Sequence, residues 1–199
     1  MLQAFESITA LRDHLASGGR HGPEYAAKMI HAVPDLPTVP DRARYLVEKA
    51  KGKVVLDIGC GGPISAAIRQ AAKTYYGIDR VAGPDRVVMD VDHAPHEMPV
   101  YADVELIIAS ELLEHLGNPG YFLAMLREKY PTIPVYITVP QAGAYQVRND
   151  CEIVNREHVA WYSYTTLTTL LGRYGYAIIE ARWYNGEPHK AEGLIVLVR

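Results

Sequence analysis

The sequence predicts an α/β chain built on a doubly wound, mainly parallel sheet, and three observations carry that prediction. Beyond Gly52, short apolar runs of strand length alternate with helical stretches, the pattern of a parallel sheet covered on both faces. The stretch VVLDIGCGGPISAAIRQ, from Val54 to Gln70, joins such a strand to a helix through closely spaced glycines. The last strand-like runs flank NGEPHKAEG and read as an antiparallel hairpin, so the final strand runs against its neighbours.

In chain order, Leu2, Phe5, Ile8, Leu11 and Leu15 recur at helical spacing, and SGGRHG stops that helix. Glu24 to Ala32 reads as a second helix, and VPDLPTVP is too proline-rich for a helix or a central strand, so it is an extended linker. Asp41 can cap a third helix that ends near Gly52. Seven strands follow: Lys53 to Ile58, Thr74 to Ile78, Arg86 to Met89, Val104 to Ala109, Val135 to Val139, Ala177 to Tyr184 and Leu194 to Val198. Helices are expected at Ile64 to Ala72, Pro119 to Tyr130 and Thr165 to Tyr174. A chain of 199 residues, about half of them apolar, suits a single domain. Residues 1–40 would form its N-terminal helical lid or linker, with Gly18, Gly19 and Gly22 as hinges, and residues 41–199 its ligand-binding core.

Composition excludes several classes. A net charge of -3 with acids and bases interleaved gives no case for gripping a phosphate backbone, so no nucleic-acid partner is expected. Cys60 and Cys151 form neither a disulfide framework nor a metal-ligand spacing, and no metal is assigned. No apolar run is long enough to span a membrane. A soluble cytoplasmic protein, monomeric or homodimeric, is the expectation.

The chemistry starts at the glycines. Gly59, Gly61 and Gly62 can adopt positive φ and let a ligand approach the main chain, and Pro63 suits the first position of the following helix. Strand, glycine loop and helix N-terminus together make a ligand site at the sheet edge. If the ligand is nucleotide-like, Asp79 in YYGIDR can accept hydrogen bonds from a ribose diol, with Arg80 beside it. In VVMDVDHAP, Asp90 or Asp92 can accept from an adenine amino group while Val91 packs on the ring. Asp90 directly follows the apolar run and is preferred, leaving Asp92 as a solvated loop acid. ASELLEHL places Ser110, Glu111, Glu114 and His115 at the same edge, and Glu114 reads more readily as a residue that caps or solvates the next helix.

These motifs resemble the class I S-adenosylmethionine-dependent methyltransferases, in their small-molecule branch. VVLDIGCGG is similar to that family's first motif, YYGID to its second acidic strand end, VVMD to its adenine-binding acid and ASELLEHL to its post-fourth-strand motif. ITVPQ and REHVAWYSYTTLTTLLGRYGY resemble the fifth strand and the helix after it, so the resemblance spans Val54 to Arg199. It implies a Rossmann-like, seven-stranded methyltransferase fold with S-adenosylmethionine as cofactor. Asp57, Gly59 and Gly61, with Cys60 in the same loop, would face the methionine moiety. Asp79 and Arg80 would face the ribose, Asp90 and Val91 the adenine, and Ser110 and Glu111 complete the set. Two departures stand out: Pro63 replaces the usual third loop glycine, and the span from Asp79 to Asp90 is too short for the customary helix.

A sulfonium methyl is already activated, so the protein must align an acceptor and exclude water. His115 and His158 are the candidate general bases for a hydroxyl acceptor. Tyr145 and Arg148 lie in the irregular segment after the fifth strand, and Trp161 and Tyr162 can form an aromatic wall; these four are the candidate acceptor contacts. The expected function is methyl transfer to O or N of a small molecule. The alternative is a non-catalytic cofactor-binding or partner subunit on the same fold. A nicotinamide dehydrogenase fits less well, because Ile64 stands where GxGxxG needs its last glycine. A nucleotide-amino methyltransferase fits less well because SELLEH replaces the Asn/Asp-Pro-Pro-aromatic motif.

Overall fold

The computed structural model describes residues 34–141, 157–186 and 191–199, which apart from Pro34 belong to the compact unit Asp35–Arg199. The expected N-terminal helices and their glycine hinges, Tyr145, Arg148 and Cys151 lie outside the described residues.

The order is β1 (Thr38–Val39), α1 (Arg42–Ala50), β2 (Val54–Ile58), α2 (Pro63–Ala71), β3 (Thr74–Asp79) and β4 (Arg86–Val88). A single 3-10 turn, η1 (Pro95–Glu97), precedes β5 (Leu106–Ser110), and a second, η2 (Leu113–His115), precedes α3 (Pro119–Lys129). The chain continues through β6 (Val135–Pro140), α4 (Tyr164–Arg173), β7 (Ile178–Tyr184) and β8 (Gly193–Val198). Among the described residues, one sheet holds all eight strands in the order β1-β7-β8-β6-β5-β2-β3-β4. Its pairings are parallel except that β8 is antiparallel to both β6 and β7.

The eighth strand corrects the expected count of seven. The proline-rich linker supplies β1, which pairs with β7 at Thr38↔Trp183 and Val39↔Tyr184. Trp183 N donates to Pro37 O at 3.0 Å and Asn185 N to Val39 O at 2.9 Å. Proline has no ladder donor and is confined to sheet edges, and β1 lies at one edge. At the other edge no helix joins β3 to β4, as the short span predicts, and Val81, Val87 and Val88 are exposed.

Local chemistry sets the helix ends. The Asp41 carboxylate accepts from Arg44 N at 3.0 Å and the Asn118 side chain from Tyr121 N at 3.0 Å, while Ser163 and Thr166 form a capping box. Alternation along β2 divides the core between the two faces. Val54, Leu56 and Ile58 pack with Phe122, Leu126, Leu167 and Leu171 from α3 and α4; Val55 packs with Leu46 and Ala50 of α1 and Ile68 of α2.

Candidate functional site

β2 pairs with β3 on one side and β5 on the other, so successive connections leave it in opposite directions and a crevice opens beyond the strand ends. A cavity of about 510 Å³ occupies that place. Its lining draws on the residues that follow each of β2, β3, β4 and β5, including Gly59, Gly61, Asp79, Asp90, Val91 and Glu111.

The loop after β2 is shaped by two close approaches. Gly59 has φ +80°, and a Cβ there would stand 3.1 Å from Leu112 Cδ1; a Cβ on Gly61 would stand 2.9 Å from Asp79 Oδ2. Absence of those methyl groups lets the loop lie beside the Asp79 carboxylate, whose Oδ1 accepts from Val81 N at 2.8 Å. Asp57 also lines the cavity and is buried. Burial pushes its carboxyl up to about 6, against hydrogen bonds from Ser65 and Tyr75 that hold it down, the latter at 2.9 Å. Cys60 is placed elsewhere: its side chain is buried against Gly77 of β3 and does not line the cavity.

The two acids after β4 separate by role. Asp90 Oδ1 accepts from Asp92 N at 3.0 Å and Oδ2 is 2.9 Å from His93 Nδ1. Partial burial would raise the Asp90 carboxyl, but those hydrogen bonds outweigh it and hold it below the usual range. Asp92 is not the solvated loop acid expected. Its oxygens accept from Gly117 N and Asn118 N, each at 3.0 Å, so it ties the loop after β4 to the start of α3.

At the end of β5 the chain turns through Glu111, a non-glycine at φ +52°, which costs backbone strain. Its Oε1 gathers three partners: Arg42 Nη1 at 2.6 Å, the Tyr184 hydroxyl at 3.0 Å and the Thr138 hydroxyl at 2.9 Å. Ser110 Oγ lies 2.9 Å from Thr138 Oγ1. Burial and the nearby Glu111 charge push the Tyr184 phenol up, so it stays a donor. Arg42 also lines the cavity and its guanidinium sits 5.0 Å from the Tyr184 ring centroid. The sequence reading missed Arg42 and Tyr184, because they lie in elements far from the motif and carry no local signal.

One turn further, Glu114 is 1 % exposed. The expectation that it caps or solvates the next helix is therefore corrected, since the cap of α3 is Asn118. Its crowding by Leu112, Leu113 and Leu116 was the available sequence signal. Its carbonyl accepts from Val159 N at 2.8 Å and Ala160 N at 3.2 Å, which fastens residues 157–160 to η2. Burial, then the Glu111 charge, pushes the Glu114 carboxyl up to about 8.

His115 lines the cavity, and its Nδ1 lies 3.1 Å from Glu157 O; a carbonyl only accepts, so Nδ1 is the donor, and in the neutral ring Nε2 carries the lone pair. His158 stands edge-on to His115, with centroids 4.8 Å apart, and edge-on to Trp161 at 5.2 Å. His158 and Trp161 are thus behind His115 and outside the cavity lining. Burial and the neighbouring His115 lower the His158 pKa. Tyr162 is buried, with its hydroxyl donating to Leu113 O at 3.3 Å, a placement in the core rather than on the cavity wall.

Comparison with known proteins bears on this arrangement. The family model described as a methyltransferase domain matches residues 25–181. No curated protein sequence matches. Among solved structures, the Burkholderia thailandensis 1,6-didemethyltoxoflavin-N1-methyltransferase, with its substrate and S-adenosylhomocysteine bound, is 16 % identical with TM-score 0.58 over 100 % of this chain and 92 % of that one. Magnesium protoporphyrin IX methyltransferase from Synechocystis, with S-adenosylmethionine bound, is 15 % identical with TM-score 0.53 over 79 % of this chain and 76 % of that one. Small RNA methyltransferase HEN1 is 14 % identical with TM-score 0.61 over 85 % of this chain and 26 % of that one. Three acceptors this different on one fold show that the fold does not name the acceptor. The family match, over most of the core, makes this chain a member of the methyltransferase-domain family, built on the fold of the class I S-adenosylmethionine-dependent methyltransferases.

Proposed function

We propose that the chain transfers the methyl group of S-adenosylmethionine to O or N of a small-molecule acceptor, in a cytoplasmic setting, with residues 1–40 as an N-terminal lid or linker and residues 41–199 as the cofactor-binding core. One observation carries the reading: a single cavity is lined by the glycine loop, by Asp57, Asp79 and Asp90 at successive strand ends, and by His115. The cofactor fits the residues present. The glycines leave room beside Asp79, the free edge of that carboxylate suits a diol, and buried Val91 offers an apolar face for a base.

Bound there, S-adenosylmethionine supplies an activated methyl whose S–C bond breaks as the acceptor bond to carbon forms, leaving a neutral thioether. The protein's part is to align and to take a proton. His115 Nε2 holds the lone pair that accepts the acceptor's proton, while Glu157 O fixes the ring through Nδ1. Trp161 edges His158 and extends the apolar surroundings of that imidazole pair. Tyr145 and Arg148 complete the acceptor contacts in this reading.

Titration calorimetry with S-adenosylmethionine, S-adenosylhomocysteine and NAD tests the cofactor assignment. Binding of the first two and not NAD is expected. Failure of both to bind, or S-adenosylhomocysteine never forming across an acceptor screen, would favour the alternative of a non-catalytic partner subunit.

A further inference from the structure

We propose that Glu114, His115 and His158 hold a divalent transition-metal ion at the acceptor end of the cavity, where it binds and acidifies the hydroxyl or other donor atom to be methylated. The role at the acceptor rests on the methyl-transfer reading; the ion site rests on its own geometry.

The three side chains each offer a ligand atom, and these atoms lie within 4.8 Å of one another. Ligand atoms around a small cation stand about 3–3.5 Å apart, so rotamer-scale closure completes the site. Glu114 supplies an independent pointer to a cation. It is almost fully buried, yet among the described residues nothing donates to either carboxylate oxygen, a costly state that a bound cation or a proton on the carboxyl relieves.

His115 is oriented as metal-binding histidines are. Its Nδ1–H donates to Glu157 O, leaving the Nε2 lone pair 4.0 Å from Glu114 Oε1, too far for a hydrogen bond. Distant segments are locked together at this point. Backbone bonds from Val159 and Ala160 to Glu114 O, and a bond from the Tyr162 hydroxyl to Leu113 O, hold the His158-bearing segment against η2. Because His115 lines the cavity, the ion would keep an open side toward an acceptor.

Two imidazoles with one carboxylate select borderline cations such as Fe²⁺, Co²⁺ or Zn²⁺ over Mg²⁺ and Ca²⁺, which favour all-oxygen sets. The sequence shows no spacing signal for this site, since its ligands come from two segments. With the ion bound, His115 Nε2 is a ligand rather than the base; coordination lowers the acceptor's pKa and the proton it loses passes to solvent water.

The test is titration of the full chain, after chelation, with Co²⁺ followed by its visible d–d absorption, and with Mn²⁺, Zn²⁺ and Mg²⁺ by calorimetry. One Co²⁺ per chain is expected, with at least about tenfold weaker binding in Glu114→Gln and in His158→Asn and an altered Co²⁺ spectrum in the latter. S-adenosylhomocysteine affinity retained in both variants shows that they fold. Absence of saturable Co²⁺, Mn²⁺ or Zn²⁺ binding, wild-type affinity in both variants, or preferential saturation by Mg²⁺ overturns the site. S-adenosylhomocysteine binding without metal binding overturns this inference alone; metal binding without S-adenosylhomocysteine binding supports the site and overturns the cofactor reading.

Discussion

The two ends of the cavity are built differently. At the end proposed to hold the cofactor, Asp79 and Asp90 lie at or just beyond the ends of their strands and bond at short range, to Val81 and to Asp92 and His93, and Asp57 accepts from Tyr75 on the adjacent strand. At the other end, around the turn after β5, the groups bond across the chain: Glu111 to Arg42, Thr138 and Tyr184, and η2 to residues 157–162. The first end is prepared by the sheet itself and tolerates local change. The second is a cross-linked assembly of charged groups, in which removing one member strands its partners.

The largest effect expected on this contrast comes from Asp79→Ala. Loss of a carboxylate that accepts from a diol should weaken S-adenosylhomocysteine binding about 100-fold, near 2.7 kcal/mol, with little change in melting temperature. An unchanged affinity by calorimetry breaks the ribose assignment. Next is Glu111→Ala, which leaves Arg42, Thr138 and Tyr184 without their shared acceptor. Because Arg42 and Glu111 keep some exposure, 21 % and 27 %, a loss of about 2 kcal/mol is expected rather than the larger cost of a fully buried pair. Denaturant unfolding reads it, and a double-mutant cycle with Arg42→Met should return a coupling of about 1 kcal/mol.

Asp57 gives a pH signature at the cofactor end. Its carboxyl rises from 3.8 unfolded to about 6 folded, so the folded state binds the extra proton; stability is fully present below the unfolded value and falls as pH rises through about 6. Asp57→Asn should remove that slope and stabilise the ligand-free protein above pH 6 by about 1–2 kcal/mol, less than the ~3 kcal/mol limit because bonds from Ser65 and Tyr75 weaken. Melting curves between pH 4 and 8 that keep the wild-type slope would refute it. The smallest effect is Gly61→Ala. Its methyl meets the movable end of Asp79 at 2.9 Å, so about fivefold weaker cofactor binding is expected with stability nearly unchanged. A large stability loss instead would show that the cofactor end is as cross-linked as the other.

What the sequence by itself determined follows from short-range physics. Strand positions, the N-cap Asp41, the glycine loop and the acids at strand ends are each set by a few contiguous residues, so the mainly parallel α/β sheet was legible. The β1 strand was not, because two residues between prolines become a strand only when β7 offers an edge to pair with. Asp90 and Asp92 look alike in VVMDVD, and only the packing of Gly117 and Asn118 beside Asp92 separates them. The tertiary structure alone decided the cross-linked end of the cavity. Arg42 meets Glu111 across 69 positions and His158 meets His115 across 43; burial of Glu114 depends on every element around it. Periodicity and local spacing report a residue's near neighbours along the chain, whereas desolvation and charge pairing are properties of neighbours in space.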